Sequence, residues 1–141
     1  MRIEVLSPAQ WSEMSEDAHR IVFRKQKPSS FDRIDYALLC VDETNTPMGY
    51  LTAREMDHET VYWQFGGAFP PVEKSVHAWP IYLSFVEFEK IAQRKRIVTY
   101  IENTNLTYLK MAMKAGFRIN GVRYARGSVL VEHVLEFENE Q

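Results

Sequence analysis

Three strand-like runs separated by short turns, followed by a helix and one further strand, constrain this 141-residue chain more than any other feature. YALLCVD ends in the turn composition ETNTP, and MGYLTARE pairs back across it. MDHE makes a second turn, and TVYWQFGG follows as the most aromatic run. The pattern then changes period. In PIYLSFVEFEKIAQRKR, residues Ile81, Phe85, Phe88 and Ala92 share one helical face, and the basic residues at the end complement the helix dipole. IVTYI, compact and β-branched, is the next strand. Hairpin strands need only tight turns, whereas a strand entered through a helix lies parallel to the one before it. The expectation is an α/β fold with a mixed, mostly antiparallel sheet of six or seven strands and helices on both faces.

The flanking segments extend this order. MRIEVL alternates as a short strand, and Ser7, Pro8 and Gln10 form a capping-box start for a helix over 8–24. Trp11, Met14, Ala18, Ile21 and Val22 supply its apolar face. The segment from Lys25 to Arg33, KQKPSSFDR, reads as a loop. NLTYLKMAMKAGF is a helix with Asn105 as N-cap and Gly116 as its left-handed stop. FRINGVRYARGSVLVEHVLEF then forms two strands joined around Ala125 to Gly127.

Composition narrows the function classes. Hydrophobic residues make up 45% and charged residues 26%, as in a single globular domain spanning 1–141. A formal net charge of −2 argues against a protein whose task is to coat nucleic acid or an anionic membrane. The basic run Arg94-Lys95-Arg96 reads as capping helix carbonyls rather than as an RNA contact. The single cysteine, Cys40, lies in an apolar strand and reads as a core residue. MRIEVLSP has no signal-peptide pattern and no apolar run approaches the ~20 residues of a membrane span, so a cytoplasmic protein is expected. His19, His58, His77 and His133 are dispersed without metal-ligand spacing, and no Walker or GxSxG pattern occurs.

The segment N-LTYLKMAMKA-GF-RIN-G, with Asn105, Gly116, Phe117 and Gly121, resembles the closing signature of the GCN5-related N-acetyltransferase (GNAT) superfamily, and the element order agrees. The chain also looks loosely like the small GNAT-like proteins of tailed bacteriophages. The resemblance implies an acetyl-CoA-dependent N-acetyltransferase with a V-shaped opening between TVYWQF and IVTYI. There the pantetheine arm would lie like an added strand against the backbone from Phe65 through Gly66 to Gly67, with Asn105 near it. An amine acceptor, small molecule or protein, would dock by Lys25–Arg33 and the hairpin Tyr124–Ser128.

Two expected features of that superfamily are altered here. Its pyrophosphate loop, Arg/Gln-x-x-Gly-x-Gly/Ala, falls on Lys74, His77 and Trp79, and no glycine occurs between Gly67 and Gly116. Pro80 follows in the first helical turn, where it supplies no N–H. Lys74 and Ser75 are the residues placed to hold phosphates. The superfamily's general-acid tyrosine falls on Ala112, while Tyr108 lies one turn earlier, about 6 Å along the helix. The candidates for proton transfer are Glu102, Tyr108 and His77, with Glu59 a further acidic group. Loss of the loop glycines and of that tyrosine leaves a second expectation open: a catalytically silent GNAT-like domain that binds a protein partner.

Overall fold

The computed structural model describes residues 1–23, 34–70, 78–125 and 127–137, without the side chains of His19 and Phe23. The loop from Lys25 to Arg33, the phosphate candidates Lys74 and Ser75, and His77 lie outside the described residues. The elements are β1 (Arg2–Leu6), α1 (Pro8–Phe23), β2 (Tyr36–Val41), β3 (Pro47–Glu55), β4 (Thr60–Ala68), α2 (Ala78–Ile91), β5 (Arg96–Glu102), α3 (Leu106–Ala115), β6 (Arg118–Ala125) and β7 (Ser128–Glu136).

Local chemistry sets the element ends. Ser7 N–H donates to Gln10 Oε1 at 2.9 Å and Gln10 N–H donates to Ser7 Oγ at 3.1 Å, the reciprocal capping box read from the sequence. Asp42 Oδ1 accepts from the N–H groups of Thr44 and Thr46 and closes the β2–β3 turn. Those bonds hold its carboxyl below the usual range. Gly116, at φ 103°, ends α3 in the left-handed conformation.

The seven strands run β1-β2-β3-β4-β5-β7-β6, and every neighbouring pair is antiparallel except β4–β5. Helix α1 lays Trp11 and Ala18 on Ala37, Leu39, Val41 and Tyr50. On the other face, α2 and α3 bring Ile81, Tyr82, Phe85, Val86 and Ala112 against Leu38, Cys40, Leu51, Val61 and Trp63. Strand β2 is thus buried on both sides, which explains its unbroken apolar run. Cys40 is fully buried, and burial pushes its thiol up. None of the described helices is long and apolar enough to cross a membrane.

Two expectations need correction. Ile21 is 45% exposed, while Ser15 is buried at 1%. The stripe on the sheet runs through positions 11, 15, 18 and 22, and Ile21 lies about 100° around the helix from Val22. The basic run is not part of α2, which ends at Ile91. Gln93 adopts φ 62°, and the N–H groups of Lys95 and Arg96 both donate to Glu59 O. The three side chains then hold the β3–β4 turn rather than helix carbonyls. Arg94 reaches Glu55 at 2.6 Å and His58 O at 3.3 Å, Lys95 pairs with Glu59 at 3.0 Å, and Arg96 donates to Thr60 Oγ1 at 3.0 Å. A charge run at a helix end looks the same in sequence whether it serves the helix or the next turn.

Close packing explains one glycine. A Cβ on Gly66 would stand 2.7 Å from Tyr50 O, backbone of the neighbouring strand. Gly66→Ala must separate β3 from β4 and is expected to cost about 1–3 kcal/mol of unfolding free energy in urea titrations. A cost near zero would contradict this contact.

A buried acid supports α2 against the sheet. Glu89 is fully buried, and the Tyr36 hydroxyl donates to both its carboxylate oxygens, at 2.6 and 2.7 Å. Burial holds the Glu89 carboxyl above the usual range, against the opposing pull of the Tyr36 bond and the Arg94 charge. Its stabilising contribution is therefore complete below its unfolded value of about 4.3 and lost as pH rises through the higher folded value. Glu89→Gln removes this titration, so unfolding free energy measured from about pH 4 to about pH 8 should fall less steeply with rising pH than in the native chain. Equal slopes in both proteins would refute the assignment.

Candidate functional site

Strands β4 and β5 pair for four positions only, from Thr60↔Arg96 to Trp63↔Thr99. Thr99 Oγ1 donates to Trp63 O at 3.3 Å across the last of them. Beyond that point Phe65 to Ala68 stay registered with β3, while Tyr100 to Glu102 stay registered with β7. The two arms diverge and leave a V-shaped slot in the sheet. Its cause is a bulge: Thr52 faces Phe65 and Ala53 faces Trp63, so Gln64 is the extra residue. A bulge bends and twists its strand. The buried Thr52 hydroxyl stitches it by accepting from Phe65 N–H at 3.2 Å.

Past the bulge, the antiparallel ladder alternates the direction of the β4 peptide groups. Ala68 N–H points into the slot, where it donates to the Tyr108 hydroxyl at 3.2 Å, whereas Phe69 N–H turns back to Met48 O at 2.9 Å. The same alternation turns the Gly66 peptide groups toward the slot. Gly67 makes room for this arrangement. A Cβ there would stand 2.5 Å from Val22 Cγ1 and 2.8 Å from Tyr108 Oη. The Gly66–Gly67 pair therefore lies inside β4, which continues to Ala68, and meets packing demands of its own.

Tyr108 is placed by its helix cap. Asn105 Oδ1 accepts from Tyr108 N–H at 3.3 Å and fixes the first turn of α3 where β5 ends. Ala112, at the position the superfamily gives to its tyrosine, is fully buried in the core. Tyr108 reaches the slot with its own side chain, whose hydroxyl meets Ala68 N–H. Its ring lies 6.4 Å from that of Tyr82, which in turn stacks on Trp79 at 6.2 Å and meets Trp63 edge-on at 5.9 Å. Behind Tyr108 these rings form a continuous aromatic cluster in the core on the α2–α3 side of the sheet.

The phenols of Tyr50 and Tyr82 are both pushed up, chiefly by burial and secondarily by the nearby Tyr108. They remain neutral hydroxyls through the physiological range. Glu102, the last residue of β5, is exposed on the open arm. Glu59 stands at the opposite, closed end in its pair with Lys95, so it is remote from the slot. Of the residues singled out in the sequence, the structure brings Phe65, Gly66, Gly67, Asn105 and Tyr108 together around the slot, with Glu102 at its edge. The sequence reading missed Gln64, Tyr50 and Tyr82. Tyr50 was traceable in principle, since the hairpin register sets it opposite Gly67.

No protein-family model matches the sequence, and no curated protein matches it. Solved structures do match in shape. A chimera of the Vibrio cholerae spermidine N-acetyltransferase SpeG superposes with a TM-score of 0.76 at 11% identity, over 96% of each chain. A Bacillus subtilis acetyltransferase solved in complex with CoA gives 0.74 at 15% identity, over 97% of this chain and 99% of that one. An IAA acetyltransferase from Bacillus cereus gives 0.74 at 11% identity, over 96% and 98%. Seven strands in this order, one parallel seam opening into a slot, and near-complete superposition lead to one conclusion: the chain has the GCN5-related N-acetyltransferase fold.

Proposed function

We propose that this chain is an acyl-CoA-dependent N-acetyltransferase acting on a primary amine. The observation that carries the reading is the parting of β4 from β5 after Trp63↔Thr99, which leaves the Gly66 peptide groups without a neighbouring strand. An extended amide chain such as pantetheine fits that edge as an added strand. The comparisons support the class: one neighbour is a complex with CoA and another is named for spermidine.

In this reading Phe65, Gly66 and Gly67 supply the backbone along which the donor lies, with Asn105 beside it. Lys74 and Ser75 hold the phosphates. The amine nitrogen bonds to the acyl carbon as the carbon–sulfur bond breaks. Tyr108 gives its phenolic proton to the departing thiolate, and Glu102 takes the proton lost by the amine through water. His77 is the alternative proton acceptor. A second reading, a silent domain that binds a protein partner, is favoured by α2 opening on Ala78-Trp79-Pro80 in place of glycines.

CoA at about 100 times its dissociation constant should stabilise the chain by about 2.7 kcal/mol, visible as a thermal shift. Thiol release with acetyl-CoA and an amine panel that includes spermidine measures transfer, and Tyr108→Phe should lower kcat about 100-fold. Lys74→Ala should weaken CoA binding. A CoA shift with no transfer to any amine would favour the binding domain, and no shift with ~1 mM CoA would reject the enzyme reading.

A further inference from the structure

We infer that Arg54, Tyr62, Tyr100 and Arg123 form an anion site beside the slot, which selects an acceptor amine that also carries a carboxylate. The inference rests on the acyl-CoA reading above and names the acceptor class for the same site.

Strand register gathers the four side chains on one face. Ala53, Val61, Trp63, Ile97 and Ile101 point into the core under α2 and α3. Side chains alternate along a strand, so Arg54, Tyr62 and Tyr100 stand on the opposite face, the one that carries α1. The core beneath α1 draws its strand residues from β1 to β4. Tyr62 and Tyr100 are only half-buried, and Arg54 and Arg123 are exposed. Tyr62 precedes and Tyr100 follows the last seam pair, Trp63↔Thr99. The two rings therefore bracket the point where β4 and β5 part.

The contacts leave hydrogen-bond donors without an acceptor. Arg54 lies across from Tyr62 in the β3–β4 register. Tyr62 meets Tyr100 edge-on, with ring centroids 5.7 Å apart. From β6, Arg123 sets its guanidinium over the Tyr100 ring, 5.0 Å from the centroid. Stacking uses the flat face of a guanidinium and leaves its fork of N–H donors open. Among the described residues, no ion pair or hydrogen bond engages any of these four side chains. Glu132, opposite Tyr100 on β7, accepts instead from Asn120 Nδ2 at 3.3 Å. Burial pushes the Tyr62 phenol up, and Tyr100 adds to this, while Arg123 and Arg54 pull the other way. The phenol stays a neutral donor between two cations. A carboxylate supplies the acceptor that all four groups lack, through charge-assisted bonds.

The same face offers a place for the amine. Glu102, the acid assigned to take its proton, stands two positions beyond Tyr100 on the same side of β5, about 7 Å along the strand. An acceptor held by its carboxylate at the arginines directs its nitrogen toward Glu102 and the slot. A polyamine would instead bring further ammonium groups against two guanidiniums.

Initial rates with acetyl-CoA on the full chain test this. The amines are pairs that differ only in carrying a carboxylate or a carboxamide, with spermidine as the cationic reference. The carboxylate member should give the higher kcat/KM in each pair. Arg123→Gln should lower the carboxylate-to-carboxamide ratio of kcat/KM about tenfold, through KM rather than kcat. Arg54→Gln should move the ratio in the same direction. CoA titration calorimetry on all three proteins reports the donor site separately. Transfer that favours carboxamides or spermidine, or an unchanged ratio in Arg123→Gln, would overturn the inference and leave the acyl-CoA reading standing. CoA binding without transfer to any amine, or no CoA binding, would reject that reading and the inference with it.

Discussion

Two antiparallel groups of strands, β1-β2-β3-β4 and β5-β7-β6, meet along one parallel seam of four residue pairs. Parallel pairing over so short a length is weak alone, so the surrounding structure closes the seam from several sides. At its closed end, Arg94, Lys95 and Arg96 bind the β3–β4 turn through side chains and backbone. Beneath it, Trp63, Tyr82 and Phe117 pack ring against ring. Helix α2 carries the buried Glu89 to Tyr36, which ties the crossover back to the first half of the sheet. At the open end Tyr108 spans the gap to Ala68.

That seam is also where the sheet leaves backbone groups open. A continuous sheet satisfies its backbone groups internally and offers nothing to a ligand. The Gln64 bulge turns β4 away from β5 and releases peptide groups that need partners. Burial pushes the phenols of Tyr50 and Tyr82 further up, as befits their places in the two core clusters on either face of the sheet.

Features set by neighbours in sequence were legible. The Ser7–Gln10 capping box, the Gly116 stop, the Asn105 cap and both hairpins of the first half depend on contacts within a few residues. Features that depend on distant partners were not. Arg94 to Arg96 looked like a helix terminus because their acceptors, Glu55 to Thr60, lie more than thirty positions away. The Gln64 bulge leaves no composition signal, since the extra residue is defined only against Thr52 and Ala53 on the partner strand. The meeting of the Tyr108 hydroxyl with Ala68 N–H was invisible too, because helix spacing describes Cα positions and not side-chain reach.

The sequence by itself determined the order of elements, the mixed sheet with helices on both faces and the doubt attached to its glycine-free phosphate segment. Periodicity and caps are set by residues a few positions apart, so they can be read without knowing any long-range contact. Only the tertiary structure decided where the slot opens, that Gly66 and Gly67 answer to Tyr50, Val22 and Tyr108, and that the Tyr108 phenol holds the Ala68 amide. Those are meetings of groups from separate strands and helices, and their distances exist only once the seam between β4 and β5 has formed.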